Sequence, residues 1–240
     1  MFEKTKGIVL NTVEFSDKAS IVNIYTEQFG KLSFTLPASR SKKASLKRNL
    51  FQPLTILELE IEVRQGRSIQ KIKEARPDIT YTSLNYHPVK SAVGLFLSEV
   101  LIRFIQEHEP NKSLYQYMES SMLILDLSEE GIANFHLIFM YQLLSYLGMS
   151  PKIDTGEKGY FVLDQGVIES LKPTYGAFLN EEQTSLLVFI SQYSFREMGQ
   201  VKLSRQQRNT LTDALLSYLR YHLNNHAIVK SFDVLRELFE

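Results

Sequence analysis

Arg40-Ser41-Lys42-Lys43-Ala44-Ser45-Leu46-Lys47-Arg48 places five cations and no anion in nine residues. Such a run suits phosphate contact, because each phosphate it neutralises releases condensed counterions. Arg64, Arg67, Lys71 and Lys73 form a second basic cluster around a predicted hairpin and extend the same chemistry. Tyr25, Phe29 and Phe34 lie on or beside predicted strands, where aromatic rings serve as stacking platforms for bases. Phe34, however, alternates with polar residues as a core residue does. The alternative account of the run is a solvated charged loop.

Other reactive constellations are scarce. The chain has no Gly-x-x-x-x-Gly-Lys phosphate loop, no Gly-x-Gly-x-x-Gly turn and no Gly-x-Ser-x-Gly elbow. His222 and His226 have the spacing of metal ligands on a helix, but Asn224-Asn225 falls between them and no third ligand is apparent, so surface histidines are the better account. His136 falls in a strongly apolar segment and reads as a hydrogen-bonded core residue. Glu58, Glu60 and Glu62 share one strand face and read as a solvated face, with no matched acid, base and pocket. No metal, no cofactor and no enzymatic activity are expected. On the helix that opens after Ser204, Arg208 shares a face with Leu211, Leu215 and Leu219, and Arg205 lies near Leu216 and Leu223. Either the apolar stripe ends at the edge of the core and the arginines meet water, or Arg205 and Arg208 flank a groove for an apolar peptide end with acidic residues.

The elements that must position these residues change character along the chain. Residues 8–15, 21–26 and 32–36 read as strands separated by turn signals. Leu57, Leu59, Ile61 and Val63 alternate with Glu58, Glu60, Glu62 and Arg64, which puts one face in a core and the other in water. Gly66-Arg67 reads as a two-residue hairpin with Gly at the first central position, and 68–73 as the return strand. Five short strands in this span suggest a five-stranded, partly open barrel of the OB type. After Pro77 the apolar period becomes 3.6: helices are predicted over 89–105, 111–127, 132–147 (apolar nearly all round, stopped by Gly148), 181–193 (capped by Asn180), from Ser204 (with Gln207 at capping-box spacing) and over 231–239. Residues 160–163 and 167–168 form a predicted hairpin across Asp164-Gln165-Gly166. The expected fold is α+β: an OB-fold barrel in 1–80, then an α-helical domain in 81–240 with a small hairpin insertion at 149–180.

Composition agrees with this division. The 240 residues carry 27 Lys plus Arg against 27 Asp plus Glu, yet residues 1–80 hold a net +5 and residues 81–240 a net −5. Opposite charge in the two halves implies different partners, unless the scatter is chance. Zero Cys excludes disulfides, thiolate metal sites and Cys nucleophiles. No apolar run approaches the roughly 18 residues needed to span a bilayer, and Met1-Phe2-Glu3-Lys4-Thr5-Lys6 has no signal-peptide character. A soluble cytoplasmic protein that makes no membrane contact is expected.

Several of these segments, taken in order, resemble the RecO family of bacterial DNA repair proteins. Gly7-Ile8-Val9-Leu10-Asn11-Thr12, Ser16-Asp17-Lys18 with Ile21, Tyr25-Thr26 and Gly30-Lys31-Leu32 follow the family's opening. The basic loop at 40–48 and the step Phe51-Gln52-Pro53-Leu54 before Leu59-Glu60 continue it. Leu147-Gly148 before Pro151, Leu219-Arg220-Tyr221-His222-Leu223 and Lys230-Ser231-Phe232-Asp233-Val234-Leu235 extend the likeness over nearly the whole chain. The resemblance implies an N-terminal OB fold and a helical C-terminal domain. It implies binding of single- and double-stranded DNA, strand annealing, and help in loading the recombinase, together with RecR and the C-terminal tail of single-strand binding protein. That acidic, Phe-ended tail is the peptide the resemblance suggests for Arg205 and Arg208. Many family members carry a four-cysteine zinc knuckle after a Gly-x-x-Pro step. Residues 152–175 contain no Cys, so here the hairpin must be held by packing.

Three functions follow as alternatives: a DNA-binding and annealing mediator of recombinational repair, an RNA-binding OB-fold protein, and a non-catalytic interaction scaffold.

Overall fold

The computed structural model describes residues 2–16, 19–37, 49–106 and 109–238. The basic run at 40–48 lies outside the described residues. The chain folds as two compact units, Met1–His87 with Gly94–Asp126, and Pro88–Val93 with Leu127–Glu240.

In the first unit, β1 (Phe2–Ser16), β2 (Ala19–Thr26), β3 (Gly30–Pro37), β4 (Ile56–Glu62) and β5 (Ile69–Pro77) close into a barrel in the order β1-β2-β3-β5-β4. All pairs are antiparallel except β3 with β5, which gives the Greek-key barrel of the OB type. The alternating apolar residues point inward: Val9, Val22, Ile24, Phe34, Leu57, Leu59 and Ile61 form one buried cluster. Gly7 is required by this packing, since a Cβ there would lie 2.5 Å from Ile24 Cγ2 and 2.9 Å from Leu59 Cδ1. The β4–β5 connection differs from the expected two-residue loop. Arg64 to Arg67 form a turn in which Gly66, at φ +78, takes the second central position, and strand pairing resumes only at Glu62 with Lys71. The longer loop is stable because the buried Gln70 amide satisfies it: Gln70 Oε1 accepts from Arg64 N (2.9 Å), and Nε2 donates to the carbonyls of Arg64 (3.1 Å) and Arg67 (2.8 Å).

Helices α1 (Pro88–Phe104) and α2 (Lys112–Leu127) follow. The Ser98 hydroxyl donates to the Leu10 carbonyl, which ties α1 to β1. Asp126 fastens the end of α2 to the segment that leaves the barrel, accepting from the N–H groups of Thr82, Ser83 and Leu84 at 2.7–2.9 Å. Burial alone would raise the Asp126 carboxyl, but these donors and the Thr82 hydroxyl outweigh it and hold it at about 2.

The second unit contains α3 (Ile132–Tyr146), a three-stranded sheet of β6 (Tyr160–Val162), β7 (Val167–Glu169) and β8 (Phe178–Leu179), then α4 (Glu181–Ile190), a 3-10 turn (Phe195–Gln200), α5 (Arg205–His222) and α6 (Ser231–Leu238). Helix α3 is buried from Asn134 through Met140, as its all-round apolarity requires. It ends at Gly148, which takes φ +72 while Met149 N bonds back to Leu144 O, a Schellman closure. The caps read from sequence are in place: Asn180 with Gln183 opens α4, and Ser204 with Gln207 opens α5, both as capping boxes.

Candidate nucleic-acid interface

The barrel presents two outer faces of different chemistry. On the β1–β4–β5 side, strand register sets Lys6 opposite Glu58 and Lys4 opposite Glu60, with Arg76 beyond Glu58. Glu58, Glu60 and Glu62 form ion pairs with Arg76, Lys73 (2.7 Å) and Arg64 (2.5 Å). These glutamates are therefore not a merely solvated face, as their alternation suggested; they form the central rail of a charge ladder. The Arg64 hydrogen bond lowers the Glu62 carboxyl below its ordinary value. A cleft of about 450 Å³ opens on this side among Lys4, Lys6, Glu27, Glu58, Glu60 and Glu74. Its acids make it a poor surface for a polyanion.

The other outer face crosses β1, β2, β3 and β5, and its two rows carry no acid on these strands, although Lys71 at the end of one row stands opposite Glu62 of β4. Asn11, Asn23, Ser33 and Ile69 are register neighbours on β1, β2, β3 and β5, and so are Val13, Ile21, Thr35 and Lys71. In the first row the Ser33 hydroxyl donates to Asn23 Oδ1 (2.6 Å), and Asn23 Nδ2 donates to Asn11 Oδ1 (2.6 Å). Beyond Ile8, β1 has no β4 partner and pairs with β2 alone, and Val13 and Phe15 are 52% and 71% exposed. Thr12 Oγ1 donates to the Phe51 carbonyl (2.9 Å).

Four of the nine predicted basic residues lie among the described residues. Arg40, Lys42, Lys43, Lys47 and Arg48 lie outside the described residues; the chain leaves β3 at Pro37, beside Ala19, three residues before Arg40 in sequence. Arg64 and Lys73 are engaged by the ladder acids, and Lys73 also sits over the Phe2 ring. Arg67 and Lys71 are exposed and make no ion pair among the described residues. Of the candidate platforms, Tyr25 and Phe34 are wholly buried, so neither can stack on a base, and Phe29 packs against the barrel core. Asn11, Asn23 and Ser33 are not singled out by the sequence. Their shared face depends on register across strands, and only the β-forming character of 8–15 hints at it.

In the second unit, Arg208 is half-buried and its Nη1 donates to the Leu203 carbonyl (2.7 Å), while Arg205 Nε donates to the Arg236 carbonyl (3.0 Å). Leu211, Leu215, Leu216 and Leu219 are buried in the core of the unit, so they line no open groove beside Arg205 and Arg208, contrary to the second of the two sequence readings. His222 is not a surface histidine: it is half-buried against Tyr218, and its Nε2 donates to the Leu163 carbonyl (2.6 Å). His136 is buried, with Nε2 3.0 Å from the Thr212 hydroxyl. A thiolate zinc site does not fit residues 149–180, which have no Cys, and no group of three His, Asp or Glu side chains among the described residues could hold a metal. None of the described helices is long and apolar enough to cross a membrane.

Residues 1–78 match the family described as Recombination protein O N terminal, and residues 86–230 match Recombination protein O C terminal. The chain is 37% identical over 242 residues to the DNA repair protein RecO of Bacteroides fragilis and 36% identical over 240 residues to that of Phocaeicola vulgatus, with 100% of each chain covered. The RecO of Flavobacterium psychrophilum is 32% identical over 237 residues, covering 98% of both chains. With both halves matched and the barrel in OB order, this chain belongs to the recombination protein O family.

Proposed function

We propose that this protein is a cytoplasmic DNA-binding and strand-annealing mediator of recombinational DNA repair. The acid-free outer face of an OB barrel, within a chain of this family, is the observation that carries the reading. Lys71 and Arg67 border that face, and the basic run at 40–48 supplies the main phosphate contacts. The protein acts on single- and double-stranded DNA. It works with RecR and with the C-terminal tail of single-strand binding protein to load the recombinase. The tail docks at the N-terminal turn of α5, where Arg205 and Arg208 are anchored to backbone carbonyls and offer positive charge to its acidic residues.

Annealing needs no chemical step from the protein. Base pairing supplies the free energy, and the protein neutralises phosphates while holding two strands together. The test is annealing of complementary fluorescent oligonucleotides without ATP or magnesium, beside a single-strand titration at two salt concentrations. Acceleration of annealing with salt-sensitive DNA binding is expected. Nucleotide hydrolysis by a preparation free of contaminating ATPase, or preference for RNA over DNA of matched sequence, would overturn the assignment.

A further inference from the structure

We infer that the outer face of β1, β2 and β3 carries a base-reading subsite, in which Asn11 donates to the carbonyl edge of an unpaired base and Asn23 and Ser33 are positioning residues. The inference rests on the DNA-binding reading above and deepens it by naming the class of base this face takes.

Strand register brings the site together. Asn11, Asn23 and Ser33 lie side by side on β1, β2 and β3, and two positions along the same strands lie Val13, Ile21 and Thr35. The ladder is continuous between these rows, since β1 shifts against β2 only before Asn11 and after Glu14. Val22 and Phe34, between the rows on β2 and β3, are wholly buried in the barrel core, so both rows face outward. Cross-strand neighbours are then about 4.8 Å apart and the two rows about 6.8 Å apart.

Hydrogen bonds fix which atom the amide row shows to a ligand. The Ser33 hydroxyl donates to Asn23 Oδ1, and Asn23 Nδ2 donates to Asn11 Oδ1, both at 2.6 Å. With its Oδ1 engaged, Asn11 presents Nδ2, a donor with no acceptor among the described residues. Beside it, the exposed Val13 and the half-buried Ile21 form an apolar shelf. A base lying on that shelf meets the amide with its edge. Thymine, cytosine and guanine carry carbonyl oxygens that accept from Nδ2. Adenine has none; it offers ring nitrogens, and at its pairing edge an amino group that opposes Nδ2 donor against donor. The subsite therefore favours bases with a carbonyl. In a duplex both faces of a base are stacked on its neighbours, so only an unpaired base can lie on the shelf.

The experiment compares the wild-type full-length protein with Asn11→Leu, Asn11→Asp and Ser33→Ala, each after a thermal melt. Binding is measured to labelled oligo-dT, to oligo-dA of the same length and to a mixed-sequence duplex. The readout is the ratio of oligo-dT to oligo-dA affinity, because partial unfolding or a lost phosphate contact weakens both strands alike. Wild type is expected to bind oligo-dT about fivefold more tightly, the worth of one neutral hydrogen bond. Asn11→Leu should bring the ratio close to one and leave duplex affinity unchanged. Asn11→Asp keeps the acceptor for Asn23 but removes the donor, so it should lose the preference too, on top of a uniform weakening from its charge. Ser33→Ala frees the Asn23 amide to turn, and should reduce the ratio partway although Ser33 itself does not touch the base. A wild-type ratio near one, or a ratio that survives both Asn11 variants, overturns the subsite while the DNA-binding reading stands. An unchanged ratio in Ser33→Ala overturns its positioning role. A wild-type protein that binds none of the three DNAs overturns the DNA-binding reading itself.

Discussion

At the scale of single residues, burial rather than charge count decides what a titratable group contributes. The His136 imidazole is buried, and desolvation, helped by the positive charge of Arg208, holds its pKa at about 3. In the unfolded chain it returns to about 6.5. Well above pH 6.5 the imidazole is therefore neutral in both states, and its contribution to stability is complete there. Below pH 6.5 the unfolded state takes up a proton that the folded state refuses until about pH 3, so stability falls at about 1.4 kcal/mol per pH unit across that window. Denaturant melts should show a loss of about 2 kcal/mol between pH 6.5 and pH 5 from this residue. His136→Gln should remove that slope whatever its effect on stability at pH 7, and an identical slope in wild type and variant would refute the assignment. Arg208 belongs to the same scale but is tested by binding. Arg208→Glu should weaken capture of an acidic, Phe-ended tail peptide several-fold and leave affinity for naked DNA nearly unchanged. Unchanged binding of both would put the tail site elsewhere; a joint loss would assign Arg208 to DNA or to folding.

At the scale of elements, hydrogen bonds and packing to two helices fix the small sheet of the insertion. Thr184, wholly buried on α4, accepts from Phe161 N at 3.0 Å and donates to the Leu179 carbonyl, which ties β6 and β8 to the helix. His222 on α5 holds Leu163, and the Phe161 ring packs on Tyr218. A strong chelator should therefore leave the melting temperature unchanged, whereas Thr184→Val, nearly isosteric, should cost about 1–3 kcal/mol by orphaning the buried Phe161 N–H. A chelator-sensitive melt would mean a metal holds this segment after all. The β6–β7 pairing could be read from the sequence because two apolar runs flank a turn ending in Gly166. Strand β4 was as plain, since its alternation is local. What sequence reading missed is what depends on partners distant in the chain: the pairing of Glu58 with Arg76, the retention of His222 by Leu163, and the Asn11–Asn23–Ser33 relay. The hairpin at Gly66 was found but misplaced, because the buried Gln70 amide that lengthens its loop leaves no signature in apolar periodicity.

For the whole molecule, zero net charge would predict weak attraction to a polyanion, and the distribution reverses that expectation. Among the described residues up to position 80, eight Lys and Arg face eight Asp and Glu. The surplus of +5 in residues 1–80 therefore comes from Arg40, Lys42, Lys43, Lys47 and Arg48. Several cations elsewhere on the barrel are compensated by β4 glutamates, so they contribute little counterion release on binding. Electrostatic affinity should then be concentrated in the run. If all five contact phosphate, replacing them by Ala should flatten the slope of log K against log salt by roughly 3.5 on a single strand, at about 0.7 per contact. The same replacement should weaken single-strand and duplex binding together, because phosphates are common to both. A five-alanine variant that retains both affinity and salt slope would show that the run is a solvated loop, and that phosphate contacts must be sought among Arg64, Arg67, Lys71 and Lys73.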